Sequence, residues 1–115
     1  MLDAASVQKY VEDQLSKITD PKVVETLRKF LVTPRLELRD WDYGETGEQF
    51  PCWIVFEHAK SNACIVYCEH GFGPATPWGL LFLRGKNLSM GMDCNWAETL
   101  EEAFLCTRAW EPTDE

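Results

Sequence analysis

The sequence has no long hydrophobic run, and that absence is the first constraint on what the chain does. No apolar stretch approaches the ~20 residues that a membrane-spanning helix needs, so a membrane partner is not expected. Basic charge is scarce as well: eleven Lys and Arg stand against nineteen Asp and Glu, a net charge of −8. Nucleic acid and anionic lipid both attract basic faces, so neither is an expected partner. The opening residues Met1-Leu-Asp-Ala-Ala-Ser-Val7 carry no basic n-region, which argues against a secretory signal. There is no CxxC pair, and the five cysteines, Cys52, Cys64, Cys68, Cys94 and Cys106, are an odd number. An extracellular disulfide framework is normally even, so reduced thiols in the cytoplasm are the expectation.

What the chain does have is enough apolar material for one core. With 115 residues, 45% hydrophobic content and five tryptophans, residues 1–115 read as a single folded domain. Val7, Val11, Leu15 and Ile18 form one helical stripe. Asp20-Pro21 supplies an N-cap and a first helical residue for a second helix, from Pro21 to about Leu31. Thr33-Pro34 is expected to end it, because the residue before proline avoids the helical region.

Strands follow. Leu36 and Leu38 alternate with Glu37 and Arg39, which predicts a half-buried strand to about Tyr43. Cys52–His58 is apolar on both faces, as a central strand would be, and Ala63–His70 returns after a hairpin turn at residues 59–62. A four-residue connection would put Ile54, Phe56 and His58 on one face with Ala63, Ile65 and Tyr67. Trp53, Val55 and Glu57 would then share the other with Cys64, Val66, Cys68 and His70, and a connection of odd length would reverse the assignment. Leu80–Arg84 and Leu88–Met92 read as two more strands. Asn95, three residues before Glu98, reads as the cap of a closing amphipathic helix through Trp96, Leu100, Phe104 and Trp110. The expected fold is α+β: two N-terminal helices, an antiparallel meander of four to five strands, and a C-terminal helix packed on the sheet.

Three constellations could carry chemistry. Cys64, Cys68 and His70 occupy even positions of one strand and so share a face, but same-face neighbours lie ~7 Å apart. Cys64 is then roughly 13 Å from Cys68, too far for one ion, and no zinc spacing is present. No metal and no cofactor are expected. Cys68 with His70 is the alternative site, a thiol and an imidazole beside the long loop His70–Gly79, although two residues apart on a strand is a poor hydrogen-bonding distance. Gly71-Phe-Gly73 opens like a phosphate loop, yet the third glycine and the P-loop lysine are missing, and Pro74 and Pro77 remove donors. The third constellation is a surface. Asp40, Asp42, Glu45 and Glu48 make an acidic patch around Trp41, while Phe72 and Trp78 sit in or beside the Gly/Pro loop. Aromatics beside an acidic rim have the composition of a protein-binding hot spot.

The segments Trp41-Asp-Tyr-Gly44, Phe50-Pro-Cys-Trp53, Tyr67-Cys-Glu-His-Gly-Phe-Gly-Pro74 and Pro77-Trp-Gly79 resemble a pattern of small bacterial proteins of unknown biochemistry. In size, acidity and α+β plan the chain resembles the immunity proteins that neutralise bacterial toxins. The sequence resemblance covers roughly residues 41–93. It implies a non-catalytic protein that covers a basic toxin, often a nuclease, with carboxylates and aromatics. It carries over no catalytic residue. The expected function is therefore protein binding of that kind, with Asp40, Trp41, Asp42, Glu45, Glu48, Phe72 and Trp78 as the partner face. A small enzyme or ligand-binding domain built on Cys68 and His70 is the alternative.

Overall fold

The computed structural model describes residues 3–41, 49–69, 75–83, 89–90 and 95–107. It is an α+β protein with helices α1 (Ala4–Lys17) and α2 (Pro21–Phe30) at the front and α3 (Leu100–Leu105) at the back. Between them run β1 (Leu31–Trp41), β2 (Gln49–His58), a 3-10 turn, β3 (Ala63–Tyr67), β4 (Trp78–Phe82), β5 (Ser89–Met90) and β6 (Asn95–Ala97). The strand order is β5-β1-β2-β3-β4-β6. β1 to β4 form an antiparallel meander, β6 extends it antiparallel to β4, and β5 runs parallel beside β1.

The helices start where their side chains can cap them. The Asp3 carboxylate accepts from Ser6 N at 2.8 Å, and the Asp20 carboxylate accepts from Lys22 N at 2.9 Å, with Pro21 opening α2. Val7, Val11 and Leu15 of α1 and Val23 and Leu27 of α2 are buried as the stripe requires. Each contributes on the order of 1.5–3 kcal/mol of apolar burial. They pack with Leu100, Ala103 and Phe104 of α3 against Val55, Phe56, Ile65, Tyr67 and Trp78, so all three helices share one face of the sheet.

The other face is also buried, and that needs a different explanation. Cys52, Ile54, Cys64, Val66, Cys68, Leu81 and Leu83 form a second cluster to which no described helical residue contributes. Six flat strands would span about 24 Å from first to last. Met90 on β5 and Asn95 on β6 stand at opposite edges and are only five residues apart. Five residues reach at most about 18 Å. The sheet must therefore curl until its edges approach, enclosing the second cluster on the concave side.

Arg39 records the same curl. Its guanidinium starts on β1, yet Nη1 donates to Phe82 O of β4 at 2.8 Å, three strands away in the sheet. Across a flat sheet that gap is ~14 Å, farther than an arginine side chain reaches. Two irregularities supply the bend. Between Leu31 and Arg35 the β1 register slips against β2, and between Ile54 and Phe56 the β2 register slips against β3. Extra residues in one strand increase local twist and bending.

Four expectations change. β1 begins at Leu31, directly after α2, so Thr33-Pro34 lies inside a strand. Among the described residues β5 pairs only with Asp40 and Trp41, which leaves Pro34 on an edge stretch where its missing N–H costs no ladder bond. The bulge at Val55 puts Val55 and Phe56 on the same, helical face, so Ile54 joins Cys52, Cys64 and Val66 on the concave face instead of Phe56. The expected face assignment holds only on the turn side of the bulge. Ser89–Met90, the described part of the expected Leu88–Met92 strand, pairs in parallel with β1, and the fifth antiparallel place is taken by Asn95–Ala97. The closing helix is accordingly shorter and starts later. Thr99 is its cap, accepting from Glu102 N at 3.1 Å, and Trp96 is a strand residue.

Candidate functional site

Among the described residues a pocket of about 230 Å³ is lined by Tyr10, Asp13, Gln14, Tyr67, Pro77, Trp78 and Glu98. It forms where α1 crosses the C-terminal end of β3 and the start of β4, beside the link from β6 to α3. Tyr10, Asp13 and Gln14 fall at i, i+3 and i+4 of α1 and so share one side of that helix. Tyr67 and Trp78 are cross-strand partners in the β3–β4 ladder. The ladder runs one step further, with Cys68 N donating to Pro77 O at 2.9 Å, which fixes the pocket's far wall.

The floor is aromatic. Tyr67 and Trp78 meet edge to face with centroids 4.9 Å apart, and Tyr10 lies over Tyr67 at 5.2 Å. Trp78 is 2% exposed and Tyr67 8%, whereas Tyr10 is 40% exposed and presents its ring to solvent. The Tyr67 hydroxyl donates to the Glu69 carboxylate. Burial, with that hydrogen bond second, raises the Tyr67 phenol above its ordinary range and keeps it a donor.

The rim is acidic. Asp13 and Glu98 are exposed carboxylates from two different elements. Gln14 joins those elements, because its Oε1 accepts from Leu100 N at 3.0 Å and so serves an otherwise unbonded amide of the first turn of α3. An electron-rich floor under a carboxylate rim favours a cation.

No protein-family model matches this chain, and neither a curated protein nor a solved structure matches it.

The residues anticipated from sequence distribute unevenly. Asp40 and Trp41 end β1, where their backbones pair with Ser89 and Met90. Their side chains lie outside the described residues, as do Asp42, Glu45, Glu48, His70 and Phe72. Trp78 is core: it is buried with its ring edge to face against Tyr67, so it does not stand as an exposed anchor. The antiparallel order places the backbones of Trp41 and Gln49 at the same end of the sheet as the Tyr67–Trp78 pair. Sequence reading missed Tyr10, Asp13 and Glu98. The legible signal was Tyr10 and Asp13 flanking the α1 stripe; that Tyr67 lay beneath them required the topology.

The thiols belong to the concave core. Cys52, Cys64 and Cys68 are buried, and the four described cysteines are unbridged. The hydrogen bond to Cys68, then burial, push the Cys52 thiol far above its usual range. Burial pushes Cys64 up to about 11, against the partial opposition of Arg39, whose Nη2 lies 3.8 Å from the sulfur. A nucleophilic thiolate needs the opposite shift and an open approach. His58 is also accounted for structurally, with Nδ1 2.6 Å from Ser61 Oγ and its ring against Phe30 at 4.9 Å. Among the described residues no three His, Cys, Asp or Glu side chains gather to hold a metal ion, and no helix is long and apolar enough to cross a membrane.

Proposed function

We propose that the protein is a non-enzymatic, cytoplasmic binding protein of the immunity type, which neutralises a basic toxin or nuclease by covering it with an acidic and aromatic surface. The observation that carries this reading is the pocket: exposed Tyr10 over buried Tyr67 and Trp78, rimmed by Asp13 and Glu98, on a chain of net charge −8. Opposite potentials steer partners together, and desolvated aromatics hold them. The sequence adds Asp40, Asp42, Glu45 and Glu48 to the acidic balance, and they are part of the proposed partner face.

The reading built on Cys68 has less support. Cys68 is 1% exposed and sits in the concave core cluster with Cys52. A pocket of about 230 Å³ is also below the ~300–1,000 Å³ usual for small-molecule sites.

The experiment is capture of the tagged chain from its own source cell, followed by co-expression. The reading expects a basic protein to be recovered, toxic when expressed alone and harmless when this chain is expressed with it. Failure to recover a protein, or recovery of one whose toxicity is unchanged by the chain, refutes it.

A further inference from the structure

Resting on that protein-binding reading, we propose that the pocket between α1, the β3–β4 ladder and the start of α3 is the seat of a single arginine side chain presented by the partner. Its size fits one side chain better than a metabolite, at about 230 Å³. Its floor offers what a guanidinium takes: the 40% exposed ring of Tyr10, with Tyr67 and Trp78 beneath it. A planar guanidinium is weakly hydrated, stacks on an aromatic face and donates in a fork to carboxylates, whereas an ammonium is a strongly hydrated point charge.

The carboxylates are available to it. Asp13 pairs with Lys17 at 3.1 Å, and the two side chains are 60% and 67% exposed. Such exposed pairs contribute little and exchange readily for a better partner. Glu98 is exposed at the other element of the rim. Two neighbouring groups are already committed and hold the shape: Gln14 Oε1 is bonded to Leu100 N, and Glu69 accepts from the Tyr67 hydroxyl. An anion would meet two carboxylates, and an apolar side chain would leave them desolvated without a donor. The geometry selects a cation, and the aromatic floor selects a planar one.

The test is titration of the isotopically labelled chain, residues 1–115, with three probes followed by amide NMR: N-acetyl-argininamide, N-acetyl-lysinamide and the uncharged isostere N-acetyl-citrullinamide. The arginine probe is expected to give saturable shifts at the amides of Tyr10, Gln14 and Leu100. Binding should be at least about fivefold weaker for the lysine probe, and no saturation is expected with citrulline. Tyr10→Ala, and separately Asp13→Asn with Glu98→Gln, should each weaken the arginine response by about fivefold or more while the rest of the spectrum stays native. Equal responses to arginine and citrulline, equal responses to arginine and lysine, or no saturable shift by tens of millimolar arginine probe would overturn the proposal. The outcomes separate the two readings. Saturable arginine binding by a chain that captures no partner sinks the protein-binding reading alone. A captured partner whose affinity is untouched by Tyr10→Ala sinks the pocket alone.

Discussion

Arg39 is the residue whose removal would say most about how this fold is held. It is 1% exposed, it pairs with the Glu37 carboxylate, and it donates to Phe82 O at 2.8 Å from the far side of the curl. Arg39→Met keeps most of the stem and deletes the charge. A Glu37 side chain only 31% exposed is then stranded, and Phe82 O is left with the weak Cys64 Sγ donor at 3.8 Å. Breaking a buried pair from one side costs about 3–5 kcal/mol, and the partial exposure of Glu37 places this case near ~3. A domain of this size has about 5–15 kcal/mol in hand, so the loss is a large share of the whole. With a urea m-value of about 1–2 kcal/mol/M, the midpoint should fall by roughly 1.5–3 M in tryptophan-monitored unfolding. The double variant Arg39→Met with Glu37→Leu should recover much of that loss, because it removes the stranded carboxylate along with its partner. A midpoint within about 0.3 M of wild type for Arg39→Met would mean that the guanidinium does not clamp the curled sheet, and the account of the concave core would fail.

Three other outcomes follow from named contacts. A Cβ on Gly79 would stand 2.8 Å from the Trp96 ring, so Gly79→Ala should cost about 1–3 kcal/mol in chemical unfolding, with a coupling to Trp96→Leu in a double-mutant cycle; additive losses would contradict it. Leu100→Ala and Phe104→Ala, both at fully buried positions of α3, should each cost roughly 2–5 kcal/mol, and unchanged thermal midpoints would mean that α3 does not dock on the sheet. Stability should also fall in alkali. Cys52, Cys64 and Tyr67 all have raised pKa values, so above about pH 9 the unfolded chain releases protons that the folded chain keeps. That stability is complete below the unfolded thiol range and is lost as pH rises toward 11, by about 2–3 kcal/mol for Cys64 alone. A urea midpoint unchanged between pH 8 and pH 10.5 would contradict the burial of these groups.

The parts of the fold that were legible in sequence are those set by local chemistry. The α1 stripe and the Asp20-Pro21 start of α2 are each written within a dozen residues, and both stand as expected. The start of α3 shows how two local signals compete. Asn95 with Glu98 and Thr99 with Glu102 both have capping-box spacing, and Thr99 caps because Asn95–Ala97 is claimed by pairing with β4. That pairing depends on residues 78–80, which local reading cannot weigh. The bulge at Val55 is likewise invisible in a run where Ile54, Val55 and Phe56 are all apolar, since hydrophobicity alone does not say which residue is the extra one. The curl rests on the same kind of long-range fact: β5 and β6 stand on opposite edges although their residues are close in sequence. Of the candidate site, sequence reading named Trp78 as an exposed aromatic, and Trp78 is instead buried in the pocket floor. Trp78 beside a Gly/Pro loop looked like a surface residue, yet its position opposite Tyr67 in the ladder carries it into the core. Tyr10 and Asp13, more than 50 residues earlier in the chain, are what Tyr67 and Trp78 actually face.

The central claim is binding to a basic protein through charge and aromatics, and the dependence of the association rate on salt tests it most directly. Once a partner is captured, stopped-flow association should be followed at ~0.02 M and ~0.15 M ionic strength, where the Debye length shrinks from about 20 Å to about 8 Å. For a chain of net charge −8 meeting a basic face, the association rate is predicted to fall by about tenfold or more over that range while dissociation changes little. Replacing Asp40, Asp42, Glu45 and Glu48 by Asn and Gln should slow association at low salt and flatten the dependence. An association rate that is the same at both ionic strengths would contradict the claim.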